Sequence, residues 1–243
     1  MKSVVIVSIF FSILFIFVLG TAFSYPSVDG AFGLAEWSGY YADGDDVIGP
    51  GVGGQAYDVE YLGLYINSDT VFFGLQTGFD LVNGRDFGSL HFGPGDFALD
   101  IGNDGSYEYA IRFIYGGSGV TYSLYKDVTW YAPYYPAHNV ASPFRMEHGT
   151  EIAGGIWETG FSNPVSPGDS WVLEGGFDRS LLDELGSDFQ DTVTIHWTMQ
   201  CGNDYLNQSV TVNPVPEPAT IFLLGMGMIG LAVTSRSKVL KKG

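Results

Sequence analysis

Apolar and polar side chains alternate with a period of two along several short segments of this chain, which is the pattern of half-buried β-strands. In residues 57–66, one predicted face carries Tyr57, Val59, Tyr61 and Tyr65. The turn formers Asn67-Ser68-Asp69 lead into a second alternating segment, residues 70–77. The two segments are therefore predicted to pair as a hairpin.

The same pattern recurs downstream. Residues 96–101 and 107–114 flank a glycine turn at 102–105 and form a second predicted hairpin. Further strands are predicted at 120–125, 151–157, 170–177 and 192–199. Only residues 180–185 indicate a helix, with Ser180 as its cap. The sequence predicts an all-β fold, an antiparallel β-sandwich of the jelly-roll or immunoglobulin-like kind.

Charge and composition exclude several classes of function. The formal net charge of -17 repels phosphate backbones, so nucleic acid is not an expected partner. A hydrophobic content of 46% is enough to form a core. The four histidines show no zinc spacing, and no Gly-x-Ser-x-Gly elbow occurs, so the chain is not expected to be an enzyme.

The first 24 residues have the composition of a secretory signal peptide. A positive start at Lys2 precedes an apolar run from Val4 to Leu19, and Ala22-Phe23-Ser24 offers small residues for cleavage. Cleavage is predicted after Ser24. The alternative interpretation is an uncleaved N-terminal membrane anchor.

Residues 214–243 contain three successive parts: Pro216-Glu217-Pro218, an apolar stretch from Ile221 to Val233, and a basic tail. The apolar stretch is shorter than the roughly 20 residues that span a bilayer comfortably, which favours a transient inner-membrane helix. The basic tail places Pro216-Glu217-Pro218 on the outer face. The three parts together resemble the PEP-CTERM sorting signal of Gram-negative bacteria that produce exopolysaccharide. The resemblance implies cleavage near Pro216-Glu217-Pro218 by an exosortase-like membrane protease; a plain C-terminal anchor is the alternative.

Residues 25–213 remain as the predicted β-sandwich ectodomain. Without the two terminal signals, the chain keeps 5 basic and 26 acidic residues, a charge near -21, which suits an extracellular protein that binds divalent cations or neutral polymers. Short motifs from Asp29-Gly30 and Glu36-Trp37 to residues 197–204 resemble the DOMON and family-9 carbohydrate-binding sandwiches. Members of that group bind sugars, haem or calcium. Met146 and His148 do not clearly match the haem-ligand pattern, so the resemblance implies sugar or calcium.

Calcium is the one cofactor that the sequence indicates. Asp100, Asn103, Asp104 and Glu108 place four oxygen-bearing side chains around a glycine turn, and calcium binds about six to eight oxygens at flexible spacing. The alternative is a hairpin turn at Asn103-Asp104-Gly105 whose side chains cap their own backbone. The acidic loop at residues 43–46 permits the same two interpretations.

Two aromatic clusters are candidates for sugar binding, because flat rings stack on the apolar faces of pyranoses. The first lies in an expected long functional loop, residues 127–150, where prolines stiffen the chain. Its candidate residues are Trp130, Tyr131, Tyr134 and Tyr135. The second cluster contributes Trp37 and Tyr40. The alternative is that these rings belong to the core or cover it.

The sequence thus favours an exported, non-catalytic protein that passes transiently through the inner membrane to the cell surface or the extracellular matrix. Within that class, binding of an extracellular polysaccharide is favoured over a purely structural matrix or biofilm role. A secreted glycoside-active enzyme is the third possibility, and it requires two carboxylates about 5 to 10 Å apart in one cleft.

Overall fold

The computed structural model describes residues 25–37, 40–42, 48–116, 119–154, 158–162, 169–182, 185 and 191–212. The predicted signal peptide, the sorting residues 214–243 and the acidic loop at 43–46 lie outside these residues. Among the residues described, there is no helix with the length and hydrophobicity needed to cross a bilayer.

The described chain forms two antiparallel sheets and a small hairpin, which confirms the predicted β-sandwich. The strands are β1 (Tyr40–Ala42), β2 (Val59–Ile66), β3 (Thr70–Thr77), β4 (Arg85–Phe87), β5 (Leu90–Phe92), β6 (Phe97–Ile101), β7 (Tyr109–Gly116), β8 (Gly119–Tyr131), β9 (Arg145–Gly154), β10 (Glu158–Ser162), β11 (Trp171–Asp178), β12 (Thr192–Thr198) and β13 (Tyr205–Thr211). The first sheet has the order β1-β2-β3-β11-β10 and the second β13-β12-β6-β7-β8-β9, while β4 pairs with β5 alone. Short 3-10 helices occupy Gln55–Tyr57, Pro136–Ala141 and Arg179–Leu181.

The two sheets meet face to face through buried aromatic rings. Phe73 of β3 is fully buried, and its ring centroid lies 5.1 Å from those of Phe97 and Tyr122 in the opposite sheet. The inward-facing residues of both sheets belong to one continuous hydrophobic cluster. The alternation of apolar and polar residues in the sequence is explained by this packing, because alternate residues of each strand enter the layer between the sheets.

Three expectations are corrected by the structure. A β-bulge between Val59 and Tyr61 changes the facing of β2, so Val59 enters the core together with Leu62 and Leu64. Both ends of the expected loop at 127–150 are strand, and the true connector is the shorter segment 132–144. Where the structure describes the expected helix at 180–185, it shows only the 3-10 turn Arg179–Leu181, which Asp178 caps by accepting the Ser180 N–H at 2.8 Å.

The outer face of the first sheet is covered by residues 25–37. Gly63 and Gly74 face each other across β2 and β3, and the Trp37 indole lies over both. A Cβ at either position would stand 2.5 to 2.6 Å from the ring, so the two glycines make room for this covering segment.

Glu174 of β11 fastens the same segment to the sheet. Its side chain is fully buried, and one carboxylate oxygen accepts the N–H groups of Gly30 at 2.9 Å and Asp29 at 3.2 Å. Burial raises the pKa of Glu174 to about 7, against the effect of those two hydrogen bonds. The fold therefore holds a proton on this carboxyl at a pH where the unfolded chain has lost it.

Glu174 makes stability depend on pH in a defined direction. Between pH 4.5 and about 7 the native state binds more protons than the unfolded state. The contribution of Glu174 to the free energy of unfolding is therefore complete below pH 4.5 and is lost as the pH rises to 7. The expected loss is about 1.4 kcal/mol for each unit by which the pKa is displaced. When the free energy of unfolding is measured in urea at several pH values across this range, the Glu174→Gln variant should not show this decrease. Parallel pH profiles for the two proteins would contradict the assignment.

Candidate functional site

The end of β8 and the connector that follows it carry three of the predicted sugar-binding tyrosines. Tyr131 ends β8, and Tyr134 and Tyr135 precede the 3-10 helix Pro136–Ala141. The Tyr134 N–H donates to the Gln200 carbonyl at 2.7 Å, and the His138 ring donates from Nδ1 to the Cys201 carbonyl at 2.9 Å. These bonds fix the connector to the turn after β12, so its rings are held by the fold.

Cavity I is an aromatic cavity of about 440 Å³ between this connector, the loop at residues 50–53 and the β4–β5 hairpin. Its lining residues are Pro50, Gly51, Val52, Gly53, Tyr57, Phe87, Phe92, Tyr135, Ala137, His138 and Asn203. Phe87 is 64% exposed although it is a large apolar residue. The volume lies within the range of small-ligand sites.

Cavity II adjoins cavity I and has a volume of about 330 Å³. It is lined by Tyr131, Ala132, Tyr134, Phe144, Arg145 and Gln200. The rings of Tyr131 and Tyr134 are each 52% exposed, so about half of their surface is open to a ligand.

The two cavities share an aromatic wall. The rings of Tyr134 and Tyr135 meet edge to face with centroids 5.1 Å apart, and Phe92 lies 5.7 Å from both. None of the described residues that line either cavity is an aspartate or a glutamate. This is notable in a chain with 27 acidic residues.

The remaining sugar-binding candidates lie elsewhere. Trp37 is only 3% exposed and stacks on Phe32 at 5.0 Å, so the prediction that it forms a ligand platform is wrong. Trp130 donates from its indole nitrogen to the Tyr107 carbonyl at 3.0 Å and lines neither cavity. Tyr40 is 40% exposed at the far edge of the first sheet, against Tyr61.

The structure brings together three of the four predicted calcium ligands. Asp100, Asp104 and Glu108 each place a carboxylate oxygen within 4.8 Å of the other two. The side-chain oxygen of Asn103, the fourth predicted ligand, accepts a hydrogen bond from the Thr194 hydroxyl at 2.9 Å. Asn103 adopts a left-handed φ of 53° in the turn between β6 and β7.

Backbone N–H groups already hold this carboxylate cluster. Asp100 is 3% exposed and accepts from Asp104 and Gly105, and Glu108 accepts from Ile101 at 2.8 Å. Burial, and less strongly the charges of Asp100 and Asp104, raise the pKa of Glu108. The hydrogen bonds to backbone N–H groups are those of a hairpin turn whose side chains cap their own backbone. The three neighbouring carboxylates are compatible with a bound cation, so the calcium site and the capped turn both stay as interpretations.

Several residues of the two cavities have no signal in the sequence. Phe87, Phe92 and Arg145 belong to separate strands, and Gln200 follows β12. Only the tertiary fold brings them beside the tyrosines.

The comparisons with known proteins concern the C-terminus. Residues 214–237 match the PEP-CTERM protein-sorting motif. This match confirms the sorting signal predicted from Pro216-Glu217-Pro218 and the segment that follows. The motif indicates an exported protein that an exosortase, a membrane enzyme, processes on the way to the cell surface. No curated protein and no solved structure matches the chain.

Proposed function

We propose that this exported protein binds carbohydrate without cleaving it, through the tyrosine rings that line cavities I and II. The observation that carries the proposal is the pair of half-exposed rings, Tyr131 and Tyr134, beside the shared wall formed with Tyr135 and Phe92. Such rings present flat apolar faces to the apolar faces of sugars, and their hydroxyl groups remain free for polar contacts. The resemblance to DOMON and family-9 carbohydrate-binding sandwiches supports the same ligand class.

The rigidity of the connector supports binding as well. Pro133 and Pro136 restrict the backbone on either side of the tyrosine pair, and the bonds to Gln200 and Cys201 fix its position. A ligand then loses little affinity to the ordering of the protein.

Hydrolysis is the less favoured alternative. A glycosidase needs two carboxyl groups about 5 to 10 Å apart at the scissile bond. The lack of carboxylates among the described lining residues of both cavities supports binding over cleavage. A purely structural matrix role is the remaining alternative, and it requires no ligand at these rings.

The route of the protein follows from its terminal segments. We propose that residues 1–24 direct secretion and are removed after Ser24. The segment from Ile221 to Val233 then holds the chain transiently in the inner membrane while the exosortase acts near Pro216-Glu217-Pro218. The ectodomain is released to the cell surface or matrix, where polysaccharide is its partner.

Calcium is a second ligand that the geometry supports. The proposed ion lies between the carboxylates of Asp100, Asp104 and Glu108, each of which keeps lone pairs beyond those used by backbone N–H groups. A cation there removes the mutual repulsion that burial intensifies at Glu108. Its effect is to stabilise the hairpin between β6 and β7.

Removal of one exposed ring should weaken carbohydrate binding. Tyr134→Ala is expected to raise the Kd for a bound glycan by about 5- to 10-fold, since one aromatic contact contributes about 1 kcal/mol. Binding is measured by glycan array and then by titration calorimetry on the full chain in detergent. Tyr25→Ala removes a similarly exposed tyrosine that lines neither cavity, and it serves as the matched control. Unchanged affinity in the Tyr134 variant, or no bound glycan at all, would contradict the proposed site.

Calcium should stabilise the protein through the three carboxylates. Millimolar Ca²⁺ is expected to raise the Tm of the full chain, because a ligand that binds only the native state stabilises it. The Asp104→Asn variant should lose the increase, while Asp86→Asn, which alters an exposed acid on β4, should retain it. If the wild-type Tm does not change, calcium is not a ligand.

The sorting motif makes a prediction about processing. Substitution of Pro216, Glu217 and Pro218 by alanine should leave a longer precursor in the membrane fraction, because the exosortase no longer recognises the chain. Immunoblots of fractionated cells measure the length and location of the product. Normal processing of the variant would show that recognition lies elsewhere.

A further inference from the structure

Cavity II contains a positive charge in a protein that is otherwise strongly acidic. Its described lining residues include Arg145 and no carboxylate. Arg145 belongs to the exposed start of β9 and is the register partner of Tyr131, so its side chain lies directly beside one of the half-exposed rings. A guanidinium beside a flat aromatic face is a combination suited to a ring that bears a carboxylate.

The other basic residues of the predicted mature chain show how unusual this placement is. Arg112 binds Asp96 at 2.7 Å and the Met146 carbonyl, and Arg179 is buried against the carbonyls of Leu185 and Asn67. Both are thus committed to the fold. Neither Arg85 nor Arg145 belongs to one of the two ion pairs found among the described residues.

Arg85 provides a second charge at the same end of the sandwich. It is exposed on β4, two residues before Phe87, so both side chains project to the same side of that strand. Burial raises the pKa of the Tyr57 phenol in the wall of cavity I. The charge of Arg85 acts against that rise, and the charge of Asp86 adds to it more weakly. The positive charge of Arg85 therefore acts at cavity I, partly offset by the negative charge of Asp86.

Gln200 adds a polar donor to cavity II. Its side-chain oxygen accepts the Gly93 N–H at 2.9 Å, which leaves the amide nitrogen as the group that can donate to a ligand. The cavity therefore combines two half-exposed rings, a guanidinium and an amide donor. These groups match the apolar face, the carboxylate and the hydroxyls of one sugar acid.

We infer that the polysaccharide bound at cavities I and II is acidic, and that Arg145 pairs with the carboxylate of a uronic acid residue stacked on Tyr131 or Tyr134. This inference rests on the proposed carbohydrate-binding function and adds the class of sugar. Arg85 supplies a weaker attraction for the neighbouring residue of the same chain at cavity I. The acidic surface elsewhere is not an obstacle at contact distance, because charges separated by more than about 8 Å are largely screened at physiological salt.

The test compares sugars that differ only in charge. Tetramers of galacturonate and of mannuronate are titrated against the full chain in detergent, each alongside its methyl ester, which keeps the ring and removes the charge. A chelator is present, so that calcium cannot bridge the ligand to the protein. At least one acid is expected to bind 5-fold or more tightly than its ester. Arg145→Gln should abolish that preference and leave the affinity for the ester unchanged.

The control variant is Lys126→Gln, which removes one positive charge from a strand position outside both cavities. It should keep the preference for the acid. Equal loss in the two variants would mean that overall charge determines binding, and this would overturn the assignment to Arg145. Thermal unfolding of each variant verifies that the substitution leaves the fold intact.

Failure of this inference is distinguishable from failure of the proposed function. If the acids and esters bind equally, or if only neutral glycans on an array bind with a dependence on Tyr134, the acidic specificity is wrong and carbohydrate binding stands. If no glycan of either kind binds, both are overturned.

Discussion

The packing of the two sheets around the ring of Phe73 limits where a ligand-binding site can lie in this protein. Because the layer between the sheets takes alternate residues from each strand, those side chains are not available to a ligand. The outer face of the first sheet is also partly occupied, by residues 25–37 over Gly63 and Gly74. Cavities I and II accordingly lie where connectors meet, beside the turn that follows β12.

The strands that sequence alone could locate are those with regular alternation. The β2–β3 hairpin, the β6–β7 hairpin, β11 and β12 lie close to their predicted positions. The misplaced features have local physical causes. A bulge at Val59 reverses the facing of β2, and three irregularities in the pairing of β8 with β9 interrupt the alternation there. The strands β1, β4 and β5 have three residues each, too few for any period to emerge.

The candidate site was predictable only where its residues are neighbours in the chain. Tyr131, Tyr134 and Tyr135 were identified because they cluster within one short segment, and Asp100, Asp104 and Glu108 because they surround one turn. Whether a ring is exposed depends instead on what packs on it. Trp37 matches Tyr134 as a candidate in the sequence, yet Phe32 and two glycines enclose it. Arg145 and Gln200 reach cavity II only through the folding of distant strands.

The distribution of charge is what makes the proposed selection of an acidic polymer by an acidic protein physically possible. Residues 25–216 contain 26 acids and 5 cations, and some of these acids, such as Asp100 and Glu174, are buried. The excess of acids that remains on the surface repels polyanions, so such a polymer gains nothing by adsorbing at random. The carboxylate-free lining of the two cavities, with Arg145 beside Tyr131, is the exception to that repulsion. Guanidinium pairing and ring stacking act at contact distance and need a shaped site, whereas the general repulsion is screened by salt. The proposed specificity then arises from the contrast between the lining of these two cavities and an otherwise repulsive surface.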